Sequence, residues 1–270
     1  MKPAPFDLVA PASVEDAVAH LGPYSRVLAG GQSLVPLLNL RSVRPGRLVD
    51  INRIPELARL RRSGGSLLIG ATVRQAALTR SPLVERHWPL LAQAARYAGH
   101  QAIRSRGTVA GSVAHADPSA ELPAALTALD ARFHLRSSSR TRTLTAHELF
   151  QGPHTTAIED DELLTHIEVP PLGDDVRTAF TELAPTRGSF ALAAVAAIRG
   201  HTHAAIAVTG NGSHPVRAAR AERALLDGAS AEEAAELAAA EIEHPHRSAL
   251  VRALARDAIA AAAPRAGDDA

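Results

Sequence analysis

The 270-residue chain is long enough for two or three packed units, and its apolar fraction of 46% is typical of a globular protein. The charges of its 29 basic and 28 acidic residues nearly cancel, so the net charge gives no electrostatic attraction to nucleic acid or anionic lipid. The absence of cysteine excludes disulfides, thiolate metal sites and an iron–sulfur cluster within this polypeptide.

No apolar run reaches the ~20 residues of a membrane span. The N-terminal stretch MKPAPFDLVAPAS has no apolar core of signal-peptide length. We therefore expect a cytoplasmic protein.

Short strands and helices alternate through the first part of the chain. Ser13, with Asp16 behind it, predicts the N-cap of the first helix. We predict strands at 6–9, 26–29, 48–51, 67–70, 131–135, 140–144 and 167–169, and helices at 13–21, 36–40, 73–79, 89–98 and 119–129.

The pattern changes after Pro170-Pro171. Three strands of an antiparallel sheet are predicted at 179–183, 191–198 and 204–209, although the alanine-rich segment 191–199 suits a helix equally well. Alanine-rich helices follow at 218–227, 231–243 and 248–262. We expect a domain boundary near 171–176, which gives a first domain 1–171, with subdomains 1–57 and 58–171, and a C-terminal domain 176–270.

Two segments rich in small residues carry the functional signal. The first, LAGGQSLV (28–35), leads a predicted strand through Gly30-Gly31 into an apolar helical run. The second lies within GHQAIRSRGTVAGSVAHADPSAELP (99–123), between two helical runs. Backbone without Cβ bulk can turn sharply and direct N–H groups at phosphate oxygens, so two such segments imply one extended anion between them.

Composition alone leaves tight turns as an equally good explanation of both segments. Their glycine spacing does not match G-x-G-x-x-G, and Lys2 is the sole lysine, so G-x-x-x-x-G-K-[ST] is also absent.

Two further groups of polar residues suggest other chemistry. His201, His203 and His214 could suggest a metal site, but no acidic or third ligand is fixed nearby, which favours a solvated turn. Asp117 and Glu121 could be the acid pair of a hydrolase. Such a pair needs one carboxyl held neutral in an apolar pocket, whereas these residues follow a polar segment, so ligand orientation or helix capping is preferred.

The segments 28–41 and 103–123 resemble the flavin-binding subunit of molybdenum hydroxylases, the group that contains the medium subunit of carbon monoxide dehydrogenase and the flavin domain of xanthine dehydrogenase. The similarity continues through 147–170 and 180–197. It implies an α+β, PCMH-type FAD-binding fold, in which two α+β subdomains hold FAD. A C-terminal domain with a small antiparallel sheet and helices follows.

The resemblance also implies a set of FAD contacts. Glu121 matches an acidic position at the ribityl region, with His115 and Asp117 near it, and segment 150–156 and the C-terminal domain close over the ring side. The full set of implied contacts is Leu28, Ala29, Gly30, Gly31, Gln32, Ser33, Leu34, Gly107, Thr108, Ala110, Gly111, Ser112, His115, Asp117, Glu121, Leu164 and Thr181.

Two residues depart from the family pattern. Ala110-Gly111 stands where Gly-Gly is usual, and we expect the extra methyl to narrow the approach to the pyrophosphate. Thr181 stands where many members carry a lysine near the isoalloxazine, which would lower the flavin potential in this chain. An ordinary strand residue directed away from the ligand is an equally good explanation of Thr181.

Three functional hypotheses follow. By resemblance, the chain is the FAD subunit of a molybdenum hydroxylase-type dehydrogenase, an oxidoreductase that takes electrons from an iron–sulfur partner fed by a molybdopterin-binding subunit and passes them to NAD or another acceptor. A stand-alone FAD-dependent oxidase, dehydrogenase or monooxygenase is the alternative. A purely structural role would leave the two glycine segments unexplained. The sequence assigns no catalytic residue.

Overall fold

The computed structural model describes residues 2–264. The N-terminal part of the chain forms a parallel sheet of three strands. The sheet has the order β1-β3-β2 and contains β1 (Asp7–Val9), β2 (Ser25–Leu28) and β3 (Arg47–Asp50). The crossovers contain α1 (Val14–Ala19) and α2 (Leu34–Asn39), because parallel strands cannot be joined by a tight turn. The predicted N-cap is confirmed, since Ser13 Oγ accepts the Asp16 N–H at 3.1 Å. Leu28 lies opposite Asp50, so the segments after β2 and β3 emerge at the same sheet edge.

An antiparallel sheet of five strands forms the second layer, in the order β4-β5-β10-β6-β7. Its strands are β4 (Leu60–Ser63), β5 (Ser66–Gly70), β6 (Arg132–Arg136), β7 (Thr141–Leu144) and β10 (Leu163–Val169). Single 3-10 turns at Ile51–Arg53 and Pro55–Ala58 connect it to the first sheet. Phe133, Leu135 and Ile167 alternate into the core with period two, which fixes the register of β6 and β10.

Short helices and one small hairpin complete this part of the chain. The helices are α3 (Gln75–Leu78), α4 (Pro82–His87), α5 (Pro89–Tyr97), α6 (Gln101–Arg106), α7 (Val109–His115), α8 (Glu121–Ala128) and α9 (Ala146–Leu149). The hairpin pairs β8 (Phe150–Gly152) with β9 (Thr155–Thr156).

The C-terminal part consists of a second antiparallel sheet and three helices. The four strands of this sheet lie side by side in the order of the sequence. The elements are β11 (Arg177–Leu183), β12 (Ala193–Arg199), β13 (Ala204–Val208), β14 (Val216–Arg217), α10 (Ala219–Leu226), α11 (Ala231–Ala239) and α12 (Pro245–Ala261). Within the segment 191–199, residues 193–199 form a strand, not a helix. It is buried on both faces, with Ala194 in the core of the first part and Val195 in the core beneath α12. Small alanine side chains let α8 and α12 approach the sheet from opposite sides. The predicted boundary at 171–176 falls between β10 and β11, and the end of the predicted C-terminal domain, 265–270, lies outside the described residues.

The stretch 99–123 differs most from the sequence prediction. It contains α6 and α7, which were predicted as an open small-residue segment. The α7 sequence VAGSVAH has too few large apolar residues for a recognisable helical period, but Val109 and Val113 bury one face. Within residues 2–264, no helix is both long and apolar enough to cross a membrane.

Candidate functional site

The first glycine segment (29–33) turns the chain from β2 into α2. Gly31 has φ of +72°, a left-handed conformation that glycine adopts without a Cβ penalty. Its carbonyl accepts the Val35 N–H at 3.0 Å. Asn52, from the turn after β3, donates through Nδ2 to the Ala29 carbonyl at 2.9 Å. A neighbouring strand end thus holds the segment in place.

The second glycine segment (107–112) forms the start of α7. Thr108 Oγ1 accepts the Gly111 N–H at 3.0 Å, and a Cβ added at Gly111 would stand 2.6 Å from that oxygen. Ala110 is buried in the core. Its methyl therefore points away from any ligand surface, and the prediction that it narrows the approach to the pyrophosphate is wrong.

The two glycine segments touch each other through their backbones. A Cβ added at Gly30 would collide with the carbonyl oxygen of Arg106 and lie 2.8 Å from Gly107 Cα and 3.0 Å from Thr108 N. The missing side chain of Gly30 therefore makes room for the second segment. The placement of one extended anion between the two segments stays a prediction.

A cavity of about 200 Å³ opens beside this contact. Its lining residues are Ala29, Gly30, Asn52, Arg74, Ser105 and Arg106. Arg74 donates through Nη2 to Asn52 Oδ1 at 2.8 Å and through Nη1 to the Arg106 carbonyl at 2.6 Å. Burial and the nearby Arg106 cation lower the pKa of Arg74, while the Asp50 carboxylate opposes the shift. Sequence reasoning singled out none of the four polar lining residues, Asn52, Arg74, Ser105 and Arg106. Of these, Ser105 and Arg106 lie within the motif 103–123.

A larger cavity of about 620 Å³ lies on the five-stranded sheet, bordered by Arg59, Arg61, Arg136 and the stacked rings of His134 and His166. Neither glycine segment contributes to its lining. It is therefore a separate feature from the candidate site.

The turn between α7 and α8 brings together predicted acidic residues. Ala116 turns the chain with φ of +49°. Asp117 Oδ1 then accepts the N–H and the hydroxyl of Ser119 at 2.9 and 2.6 Å. Asp117 therefore stabilises the turn that leads to Glu121.

Glu121 is only 8% exposed at the start of α8. Burial raises its pKa to about 8; its own backbone N–H and Arg104 oppose the shift, while the charges of Glu182 and Asp117 increase it. Although Glu121 follows a polar segment in the sequence, its carboxyl group is nearly buried. Glu182, which the sequence analysis did not single out, is its acidic neighbour.

His115, Asp117 and His154 form a second polar cluster. One potential ligand atom from each lies within 4.8 Å of the others, so the three could hold a metal ion. The β8-β9 hairpin brings His154 here, and its N–H donates to the Ala116 carbonyl at 2.9 Å. This grouping depends on a hairpin docking against a helix end, whereas sequence analysis considered only the histidines of 201–214.

The remaining two predicted contacts have different surroundings. Leu164 is buried in the hydrophobic core, where the register of β10 shifts. Thr181 Oγ1 donates to the Leu254 carbonyl of α12 at 3.0 Å. Of the two explanations of Thr181, this hydrogen bond favours an ordinary strand residue directed away from the ligand, and strand alternation places its neighbour Glu182 on the opposite face.

Exposed apolar side chains lie on the loop between β11 and β12. Phe190 is 76% exposed, and Leu183 and Leu192 are partly exposed where the Leu192 N–H meets the Leu183 carbonyl at 2.8 Å. The same loop packs on the turn after α5, since a Cβ at Gly188 would lie 2.8 Å from the His100 ring. This patch adjoins the strand end that carries Glu182.

Comparison with known proteins gives the family. The family described as "FAD binding domain in molybdopterin dehydrogenase" matches residues 4–172. The chain belongs to this family. The predicted family and FAD cofactor are confirmed, and the chain is an FAD-dependent oxidoreductase subunit of the molybdenum hydroxylase class.

Curated relatives and solved structures agree with the family assignment. The alpha subunit of the 6-hydroxypseudooxynicotine dehydrogenase complex of Paenarthrobacter nicotinovorans is 42% identical, with 84% of this chain and 80% of the relative covered. The carbon monoxide dehydrogenase medium chain of Hydrogenophaga pseudoflava is 37% identical, covering 88% and 86%.

Among solved structures, carbon monoxide dehydrogenase from the same organism superposes with a TM-score of 0.92 at 36% identity, covering 97% of this chain and 98% of that chain. Quinoline 2-oxidoreductase from Pseudomonas putida 86 gives a TM-score of 0.90 at 33% identity, with the same coverage. The predicted α+β FAD-binding fold is confirmed.

Proposed function

We propose that this chain receives electrons from an iron–sulfur subunit within a multi-subunit dehydrogenase and passes them from FAD to NAD or another acceptor. One observation carries the cofactor placement: the two glycine segments meet backbone to backbone beside a cavity lined by Arg74 and Arg106. Backbone N–H groups next to two guanidinium groups suit a pyrophosphate.

The residues present fit FAD at both ends of this site. At one end, Arg74 and Arg106 would balance the phosphate charge. At the other, Glu121 is nearly buried, and Glu182 Oε2 is inaccessible to solvent and has no hydrogen-bond partner in the described chain. The ribityl hydroxyl groups of FAD could donate hydrogen bonds to these carboxyl oxygens.

FAD, when bound, supplies the electron-transfer chemistry. The chain's residues would bind and orient it: Asn52 holds the first glycine segment, Arg74 links Asn52 to the Arg106 carbonyl just before the second segment, and Thr108 fixes the start of α7. Of the residues implied by resemblance, we retain the segments 28–34 and 107–112, His115, Asp117 and Glu121 as the proposed cofactor contacts. Leu164 stays a proposed contact through its backbone.

We further propose that the electron donor is an iron–sulfur subunit, itself reduced by a molybdopterin-binding subunit. The chain has no cysteine to ligate a cluster, and the exposed patch of Leu183, Phe190 and Leu192 offers an apolar surface for a partner to bury. We place this complex in the cytoplasm, which fractionation of native cells against marker enzymes tests.

Purification from native cells tests the proposed function. We expect a complex larger than 28.3 kDa that contains FAD, iron and molybdenum in fixed ratio, and whose flavin absorbance bleaches when substrate is added. A flavin-loaded chain that turns over substrate alone would contradict the proposal and favour the stand-alone oxidoreductase. A purified chain without flavin would contradict the cofactor placement as well.

A further inference from the structure

The five-stranded sheet has a polar face, turned away from the core, that carries the cavity of about 620 Å³. Phe133 and Leu135 of β6 are buried in the core, so His134 between them projects from the opposite face. By the strand register, His166 of β10 pairs with His134 on one side and with Gly70 of β5 on the other. The cavity thus lies over the middle strands of the sheet.

One end of this cavity has apolar walls. Val14 of α1, Leu57 of the turn Pro55–Ala58 and Leu68 of β5 contribute to its lining. A Cβ added at Gly70 would collide with the Leu57 carbonyl oxygen, so this turn lies directly against the sheet. The volume is typical of small-molecule sites, and the cavity can enclose an organic body as well as a charged group.

The charges that line the cavity are unbalanced. Four cations and one acidic residue contribute to the lining: Arg59, Arg61, Arg136, Arg142 and Glu56. Arg136 is paired with Glu15 of α1, and Arg142 Nη2 donates to Glu162 Oε2 at 2.7 Å. Within residues 2–264, the side chains of Arg59 and Arg61 form neither an ion pair nor a hydrogen bond. Since Glu56 cannot neutralise both, the cavity keeps a net positive charge that favours an anion.

The two unpaired cations and a histidine lie on opposite sides of β5. Arg59 precedes β4 in an extended conformation, so it shares the face of Arg61, about 7 Å along the strand. The sheet order β4-β5-β10 places the strand of Arg61 about 10 Å from that of His166. Long arginine side chains span such a distance, so one group above β5 lies within reach of both sides.

His166 is the histidine whose ring is available to a ligand. The Thr165 hydroxyl donates to the His134 carbonyl at 3.1 Å and lies 3.1 Å from His166 Nδ1. Because a hydroxyl has a single proton, Nδ1 must donate to it, and Nε2 has no hydrogen-bond partner within the described chain. Both nitrogens of His134 are occupied instead, by Thr143 Oγ1 at 3.1 Å and by Glu168 Oε2 at 3.2 Å.

We propose that this cavity binds a phosphate monoester, with the phosphate group held by Arg59, Arg61 and His166 and the organic part packed against Val14 and Leu57. A tetrahedral dianion accepts hydrogen bonds from several directions, which suits three donors on two sides of a strand, whereas one guanidinium group satisfies a planar carboxylate. The inference is independent of the proposed function, because this cavity shares no lining residue with the cavity beside the glycine segments.

Calorimetric titration of the FAD-saturated protein at constant ionic strength tests the site. Excess FAD occupies the proposed phosphate end beside Arg74, so a remaining signal comes from elsewhere. The probes are phenyl phosphate, inorganic phosphate and benzoate. We expect one phenyl phosphate to bind per chain, more tightly than inorganic phosphate because of the apolar lining, and benzoate to bind least. Wild-type protein that binds none of the phosphates, or prefers benzoate, would overturn the proposal.

Arg61→Gln should weaken phenyl phosphate binding by about tenfold, because it removes one of the two unpaired guanidinium groups. Arg62→Gln is the matched control: it removes the same charge from the next position of β4, which is exposed and does not line the cavity. Its affinity should equal that of wild type. Equal losses in both variants would reveal unspecific charge attraction and contradict the site. If Arg61→Gln does not fold, Arg59→Gln provides the same comparison.

A second readout follows the protonation of His166. Burial, the His134 ring and the Arg61 cation lower the pKa of His166, while Glu168 opposes the shift. The neutral ring must therefore take up a proton before Nε2 can donate to an anion. The charged and titratable groups that face this ring are Arg59 and Arg61 of β4, His134 and Arg136 of β6, Glu56 of the turn, and Glu168 of its own strand.

Sulfate is the probe for this readout, because it keeps its double charge across neutral pH. Wild-type affinity for sulfate should rise as pH falls from 8 to 6, since a bound anion stabilises the protonated ring. His166→Gln should remove most of this rise, because only the other facing groups then titrate. A pH dependence in His166→Gln identical to that of wild type would overturn the placement of the anion beside His166.

Discussion

The two ends of the candidate site are built in opposite ways. At the cationic end, Arg74 is fixed by direct hydrogen bonds to Asn52 and to the Arg106 carbonyl, just before the second glycine segment. At the acidic end, Glu121 is buried and Glu182 is half-buried, and burial favours the neutral forms of both carboxyl groups. A rigid set of donors suits a permanently charged group, whereas carboxyl groups with raised pKa values suit a partner that gains and loses protons. We expect substitutions at the first end to change cofactor affinity and those at the second to change pH dependence.

The largest effect is expected for Gly30→Ala. The new methyl would collide with the Arg106 carbonyl, so the two glycine segments must separate. We expect a loss of about 1–3 kcal/mol in unfolding free energy and a purified protein nearly free of FAD. Denaturant unfolding and flavin absorbance measure these changes.

Gly22→Ala is the matched control for that substitution, because nothing lies within 4 Å of its added Cβ. Equal FAD content in the two variants would show that contact between the glycine segments is not needed for binding.

Arg74→Gln should act mainly on the cofactor. The change removes a charge and the guanidinium geometry that links Asn52 to Arg106, and hydrogen bonds to charged groups contribute about 1.5–3 kcal/mol. We expect FAD affinity to fall by about tenfold to a hundredfold, measured by fluorescence titration of the cofactor-free protein.

The control for Arg74 is Arg96→Gln, which breaks an exposed ion pair with Glu85. Exposed pairs of this kind contribute about 0–1 kcal/mol, so FAD affinity should not change. Similar affinity losses in both variants would contradict the proposed phosphate end.

Glu121→Gln should alter pH dependence at the acidic end. Because the folded-state pKa is raised from 4.5 to about 8, the protonated carboxyl contributes stability that is fully present below pH 4.5 and is lost as pH rises through 8. The unfolding free energy of the cofactor-free variant should therefore rise relative to wild type by on the order of 1–3 kcal/mol between pH 6 and pH 9, and the variant should bind FAD less tightly. Calorimetric unfolding at both pH values tests this, and parallel losses of stability and FAD affinity at both would return Glu121 to a structural role.

The smallest effect is expected for Thr181→Val. The variant loses the hydrogen bond to the Leu254 carbonyl, worth about 0.5–1.5 kcal/mol, and keeps the flavin midpoint potential of wild type. Redox titration of both proteins checks the second part. A shifted midpoint would place Thr181 beside the ring after all.

Much of the part of the chain before β11 could be predicted because its signals are local. The Ser13 cap, the strand before Gly30-Gly31 and the hairpin of β6 and β7 each depend on residues close in sequence. The start of α7 could not be read in the same way, because its small residues form a helix only where Val109 and Val113 reach the core. For 191–199, only burial on both faces of a sheet decided between helix and strand.

The sequence by itself determined the family, the cofactor and the two glycine segments, since short motifs in a fixed order carry that information. The tertiary structure alone decided what each side chain of those segments faces. It showed that Gly30 accommodates the Arg106 backbone and that the Ala110 methyl lies in the core. It also placed Glu182, not Thr181, on the side of Glu121. These facts depend on contacts between residues far apart in the chain and on the alternation of one strand packed between two cores, and no local pattern encodes either.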